Sequence, residues 1–138
     1  MSRTQSSSDE VATIVRVRYA DTDKMGVAYY ANYLVWFEVG RTEWLRAQGV
    51  SYRDIELDGI VLPVIEARCE FRLPLRYDDE AEIRTRAALV TPVRVQFHYT
   101  VVRHHDAAVS ARGFTVHAAT DMTGRPKRLP ASVRRLFP

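Results

Sequence analysis

The chain has 138 residues, the size of one ordinary domain, with 46% hydrophobic and 27% charged residues and a net charge of +3. Its single cysteine, Cys69, excludes an intrachain disulfide, speaks against a zinc cluster and suits a reducing compartment, the cytoplasm. No run approaches the roughly 18 apolar residues of a membrane span, and no Lys/Arg stripe interleaved with aromatics points to nucleic acid.

Residues 1–10, MSRTQSSSDE, lack the apolar segment of a signal peptide and read as a disordered lead-in to a single domain over 11–138. In 11–19, Val11, Thr13, Val15, Val17 and Tyr19 alternate with Arg16 and Arg18, which predicts a strand with one buried face. Residues 20–29, ADTDKMGVAY, break that period with two aspartates and a glycine and read as a structured loop. The spacing predicts one long helix over 30–48, with Tyr30, Tyr33, Leu34, Phe37, Gly40, Trp44 and Ala47 on its buried face. Glu38–Arg41 and Glu43–Arg46 are placed to pair along it. Gly40 in mid-helix costs about 1 kcal/mol against alanine, which close packing on a sheet would explain.

Ser51 and Asp54 predict a capped helical turn over 51–58. Four strands follow. In 61–72, Ile65, Ala67, Cys69 and Phe71 form one face; in 80–90, Ala81, Ile83, Thr85 and Ala87; in 93–103, Val93, Val95, Phe97, Tyr99 and Val101; residues 108–120 complete the set. Pro130 to Phe137 predicts a short closing helix. The order is a strand, a long helix and four antiparallel strands, so a single helix of roughly 28 Å must line the sheet's concave face.

The chemistry concentrates in 19–46. Asp21 and Asp23 stand before Gly26-Val27, the aromatic pair Tyr29-Tyr30, Asn32-Tyr33 and the helix carrying Glu38 and Arg41. An ionised carboxylate seven residues before a helix start, across a glycine turn, can act as base or nucleophile beside unpaired N–H groups at the positive end of the helix. This stretch, the strand order after the helix and the closing Pro126–Pro130 segment resemble the 4-hydroxybenzoyl-CoA thioesterase family, which includes the Tol-Pal-associated acyl-CoA thioesterases.

The resemblance implies an α+β hotdog fold, a five-stranded antiparallel sheet wrapped around one long helix. It also implies a homodimer with sites between subunits, often paired again into a homotetramer. In its terms the protein hydrolyses an aroyl- or fatty acyl-CoA, with Asp23 catalytic and the backbone N–H of Tyr30 assisting. Tyr29 and Tyr30 would line the acyl pocket. Relatives of the Tol-Pal type often have a histidine where this chain has Tyr30. Some aroyl-CoA relatives carry a basic cluster between the third and fourth strands; here only Arg94 is basic, with Arg125, Lys127 and Arg128 as substitute contacts for the CoA phosphates.

Asp21 reads as structural and Glu38 as the reserve catalytic candidate. His98, His104, His105 and His117 have no metal-ligand spacing, and the Asp21–Asn32 stretch lacks the ligands of a calcium loop, so no cofactor is implied. Two rival readings are an acyl-acyl carrier protein thioesterase and a non-catalytic acyl-binding hotdog protein.

Overall fold

The computed structural model describes residues 10–138, so the expected lead-in lies outside the described residues except for the exposed Glu10. The elements run β1 (Val11–Arg16), α1 (Asn32–Ala47), α2 (Tyr52–Leu57), β2 (Val64–Phe71), β3 (Glu80–Thr91), β4 (Arg94–Arg103), β5 (Ala108–Ala118) and α3 (Ala131–Arg134). The strands form one antiparallel sheet in the order β1-β3-β4-β5-β2, with α1 packed along it on β3, β1 and β4. None of the described helices is long and apolar enough to cross a membrane.

The period-2 faces of β3 and β4 are placed as the alternation predicts. Ala81, Ile83, Thr85 and Ala87 point into the core, as do Val95, Phe97, Tyr99 and Val101. Phe37 stacks on Tyr99 with ring centroids 4.1 Å apart, and Trp44 meets Phe97 and Phe137. Gly40 is where the helix touches the sheet. A β-carbon there would collide with Thr85 Oγ1 and lie 2.7 Å from Ile83 Cγ2. Ser51 accepts from the Asp54 N–H at 3.1 Å while Asp54 accepts from the Ser51 N–H at 3.0 Å, the reciprocal cap expected for α2.

Four expectations need correction. The first strand ends at Arg16 and Tyr19 begins a 3-10 turn, so its ring is 79% exposed rather than buried. The buried face of α1 is Tyr33, Trp36, Phe37, Gly40, Trp44 and Leu45; Tyr30 precedes the helix, and Tyr30, Leu34 and Ala47 are exposed. Glu43 pairs with Arg46. Arg41, however, turns inward beside Tyr99 and Tyr52, so no Glu38–Arg41 ion pair forms among the described residues. Finally, β2 has the cleanest alternation in the sequence yet is exposed over almost its whole length. It is the sheet's outer strand beyond β5, and Ile65 at its register break and Phe71 on its inner side remain about half exposed.

His117 is fully buried and internally satisfied. Its Nδ1–H donates to the Leu62 carbonyl at 2.9 Å, which leaves Nε2 to accept from Thr115 Oγ1 at 2.8 Å. Thr115 Oγ1 in turn accepts from the Tyr99 hydroxyl at 2.6 Å. Burial pushes the His117 imidazolium down to about 4, so the ring is neutral at physiological pH.

Candidate active site

Two backbone-built clamps shape the loop between β1 and α1. The first is centred on Asp21, which is buried. Its carboxylate accepts from the Arg18 N–H at 2.8 Å and from Arg18 Nη2 at 2.8 Å. These bonds from Arg18 hold the Asp21 carboxyl below the usual range against the opposing effect of burial. Its carbonyl accepts from the Tyr29 N–H and from Asn32 Nδ2, both at 2.8 Å, which fixes the start of α1 to the loop. Asp21 is therefore the structural member of the pair, as expected.

The second clamp is the turn Asp23–Val27. The Asp23 N–H donates to the Val27 carbonyl and the Asp23 carbonyl accepts from the Gly26 N–H, each at 2.9 Å. Gly26 has φ +78°, in the left-handed region where a β-carbon is costly. Asp23 Oδ1 accepts from the Met25 N–H at 2.9 Å and more distantly from the Val27 N–H at 3.4 Å. Oδ2 receives no hydrogen bond among the described residues. Asp23 is thus both a turn-capping residue and a solvent-exposed carboxylate with one tethered and one available oxygen.

That carboxylate borders a cleft of about 280 Å³ lined by Val27, Ala28, Tyr30, Tyr33, Phe71, Arg72, Leu73 and Pro74. At the helix start the Tyr29 N–H goes to Asp21 and the Asn32 N–H to the Tyr29 carbonyl. The N–H groups of Tyr30 and Ala31 take no partner among the described residues. The structure therefore brings Asp23 and Tyr30, the latter two residues before α1, to the lining of one cleft. Tyr29 stands behind Tyr30, with ring centroids 4.6 Å apart, and is not among the lining residues.

Arg94, Lys127 and Arg128 do not join this cleft. Arg94 opens β4, whereas the cleft lies where β2 ends and β5 begins, opposite the far end of that strand. The ten residues of β4 span roughly 30 Å. Lys127 bonds to the Ala119 carbonyl, at the Arg94 end as well. Glu38 lines a different hollow with Arg41 and Tyr52.

The floor of the cleft escaped the sequence reading. Phe71 ends β2, and Pro74 follows in a segment that turns back toward the loop, where the Ala28 N–H donates to the Leu75 carbonyl at 2.7 Å. Ser110 Oγ donates to the Leu73 carbonyl at 2.7 Å and accepts from the Tyr33 hydroxyl at 2.8 Å, anchoring that floor to α1. A proline straight after a strand was the available signal. Cys69 is no competing nucleophile, since burial pushes its thiol up to about 11.

The fold agrees with what the chain is similar to. Residues 17–137 match the model of the Thioesterase-like superfamily. The YneP protein of Bacillus subtilis, provisionally named an acyl-CoA thioesterase, is 32% identical over 124 residues, covering 90% of this chain and 87% of the relative. The acyl-CoA thioester hydrolase YbgC of Escherichia coli is 29% identical over 119 residues, covering 86% and 89%. The solved DHNA-CoA thioesterase of Staphylococcus aureus superposes with a TM-score of 0.82 at 30% identity, over 87% of this chain and 80% of that one. A helix lying along a five-stranded antiparallel sheet, the Asp23 cleft and these similarities over nearly the whole chain together place it in the Thioesterase-like superfamily, with the hotdog fold.

Proposed function

We propose that this protein hydrolyses the thioester of an acyl-CoA, with Asp23 as the catalytic carboxylate. The observation that supports the reading is the division of labour at Asp23: Oδ1 is held by the turn while Oδ2 takes no hydrogen bond among the described residues, in a residue that lines the same cleft as Tyr30, whose N–H is unpaired. The thioester carbonyl oxygen would accept from that N–H, which strengthens as the oxygen gains charge. Asp23 would then either take a proton from the attacking water or attack the carbonyl itself, forming a mixed anhydride that water hydrolyses, and the thiolate of CoA would leave. The Tyr30, Tyr33 and Phe71 rings give the acyl group an aromatic wall, which favours an aroyl or other flat acyl chain.

The same reading includes a homodimer built through β2. This strand is an unpaired sheet edge on which Ile65 and Phe71 remain about half exposed. Antiparallel pairing with a second copy would continue the sheet. It would also set the start of the partner's β2 beside this chain's cleft. In each chain the 125–128 segment lies close to that start, because Thr120 bridges both Val61 and Pro126. Arg94, Lys127 and Arg128 would therefore grip the CoA phosphates bound at the other copy's cleft, and a tetramer would pair two such dimers. A reducing, cytoplasmic location suits the lone half-buried thiol.

The test is thiol release from a panel of aroyl- and fatty acyl-CoA substrates, alongside acyl carrier protein thioesters, with wild type and Asp23→Asn. Turnover of an acyl-CoA that disappears in the variant supports the reading. No turnover of any thioester overturns it in favour of a non-catalytic acyl-binding protein.

A further inference from the structure

The outer face of the sheet, turned away from α1, carries a feature that thioester chemistry does not use. Register places Arg86, His98, Phe114 and Arg68 in one row across β3, β4, β5 and β2. Arg112 lies one row along, opposite Thr100. Together they line a hollow of about 350 Å³.

Several arginines on this face are neutralised. Arg16 reaches Asp78 and Glu80, each at 3.3 Å, and Arg84 reaches Glu82 at 2.8 Å. Glu70 stands directly across from Arg112, yet it is engaged by Arg68 on its own strand at 3.0 Å and by Arg72 just past the strand's end at 3.7 Å. The guanidinium groups of Arg86 and Arg112 are left with no hydrogen bond or ion pair among the described residues. Three guanidinium groups thus face the hollow against the single carboxylate of Glu70. Like charges held close together on one sheet face destabilise it unless an anion joins them.

We propose that this hollow binds a phosphate dianion, free or as a monoester, gripped by Arg86 and Arg112 and separate from the thioester cleft. Arg86 from β3 and Arg112 from β5 line one hollow, a guanidinium fork fits the oxygens of a phosphate, and the net double positive charge suits the charge of a phosphate near neutral pH. The half-buried Phe114 ring, 6.2 Å from the His98 ring, offers a flat floor for the remainder of a monoester. His98 supplies an internal reporter. Burial and then the Arg86 guanidinium hold its imidazole below the ordinary value. Beside it stand Arg86 on β3, Phe114 and Arg112 on β5, and Arg68 and Glu70 on β2. A dianion on Arg86 would offset the repulsion and move His98 upward.

The experiment titrates the full chain with inorganic phosphate and with AMP, reading calorimetry and the His98 ring resonances. Saturable millimolar or tighter binding, with the His98 titration moving to higher pH, is the expected result. Tighter binding of AMP would assign the source to a ring-bearing monoester, and equal affinity to free phosphate. Arg86→Gln/Arg112→Gln should weaken binding at least about tenfold while leaving kcat and KM for the acyl-CoA unchanged. No saturable binding, an unmoved His98, full affinity in the double variant, a raised KM, or a changed oligomeric state in that variant would each overturn the proposal. If the double variant fails to fold, the wild-type His98 titration still decides.

Discussion

Replacing Asp23 by asparagine tests the proposed chemistry with little structural disturbance. The carboxamide oxygen can take the place of Oδ1 and accept from the Met25 and Val27 N–H groups, so the turn keeps its cap. The backbone bonds from Asp23 to Val27 and from Gly26 to Asp23 are untouched, and Gly26 keeps its left-handed φ. What disappears is the charge and the basic lone pair on the oxygen that the turn leaves untethered. Losing a general base lowers kcat by about 10²–10⁴, a barrier increase of roughly 3–5 kcal/mol. Binding of substrate should change little, because Tyr30, Tyr33, Phe71 and the free helix-start N–H groups remain. The assay is steady-state thiol release on the best substrate of the panel, with circular dichroism melting to verify the fold. Asp21→Asn is the contrasting control. It weakens the Arg18 clamp and should lower the melting temperature more than it lowers the rate. Glu38→Gln should leave most activity, since Glu38 lines another hollow. If Asp23→Asn keeps more than about a tenth of wild-type kcat, the carboxylate is a turn cap alone and the proposed mechanism fails.

Three further outcomes follow from the fold. The unfolded His117 binds a proton near its ordinary pKa of 6.5, whereas the folded ring resists protonation until about 4; urea-measured stability should therefore rise with pH between those values, by about 3 kcal/mol from this group, and His117→Gln should flatten the slope. Gly40→Ala should destabilise the protein by about 1–3 kcal/mol despite alanine's helix preference, because the added carbon meets Thr85 and Ile83; a urea midpoint at or above wild type would contradict the close approach. Ile65→Lys places a charge on the half-exposed surface of β2 and should shift the protein toward monomer in light scattering, with a sharp loss of turnover; an active dimer in that variant would move the interface away from β2.

The parts of the fold legible in the sequence were those decided by neighbours along the chain. Ser51 and Asp54 announced their reciprocal cap, and the alternation of β3 and β4 announced the core face, because each follows from local backbone geometry. Gly40 pointed to a close contact without saying with what. Contacts between distant segments were hidden. The alternation of β2 marks an apolar side but cannot tell whether this chain's helix covers it. Arg41 lies three residues from Glu38 yet turns toward Tyr52 and Tyr99, which are remote in sequence. Asp23 was singled out because the loop motif is local, and the structure puts it on the lining of the cleft. The Phe71–Pro74 floor was missed because only tertiary folding brings it under Tyr33.

The way the loop is fastened has a consequence for how such a protein can change over generations. The Asp21 carbonyl holds both the Tyr29 N–H and the Asn32 side chain, and the Ala28 N–H is tied to the Leu75 carbonyl. The spacing between the Asp23 carboxylate and the Tyr30 N–H is thus set largely by main-chain atoms, which substitutions do not alter. The acyl group would instead meet the side chains of Phe71 and Leu73, on a segment that contributes backbone groups alone to these ties. Under the proposed mechanism, mutation at those two positions would reshape the acceptable acyl group while Asp23 and the Tyr30 N–H keep their places, so a lineage would drift from one thioester to another while keeping the chemistry.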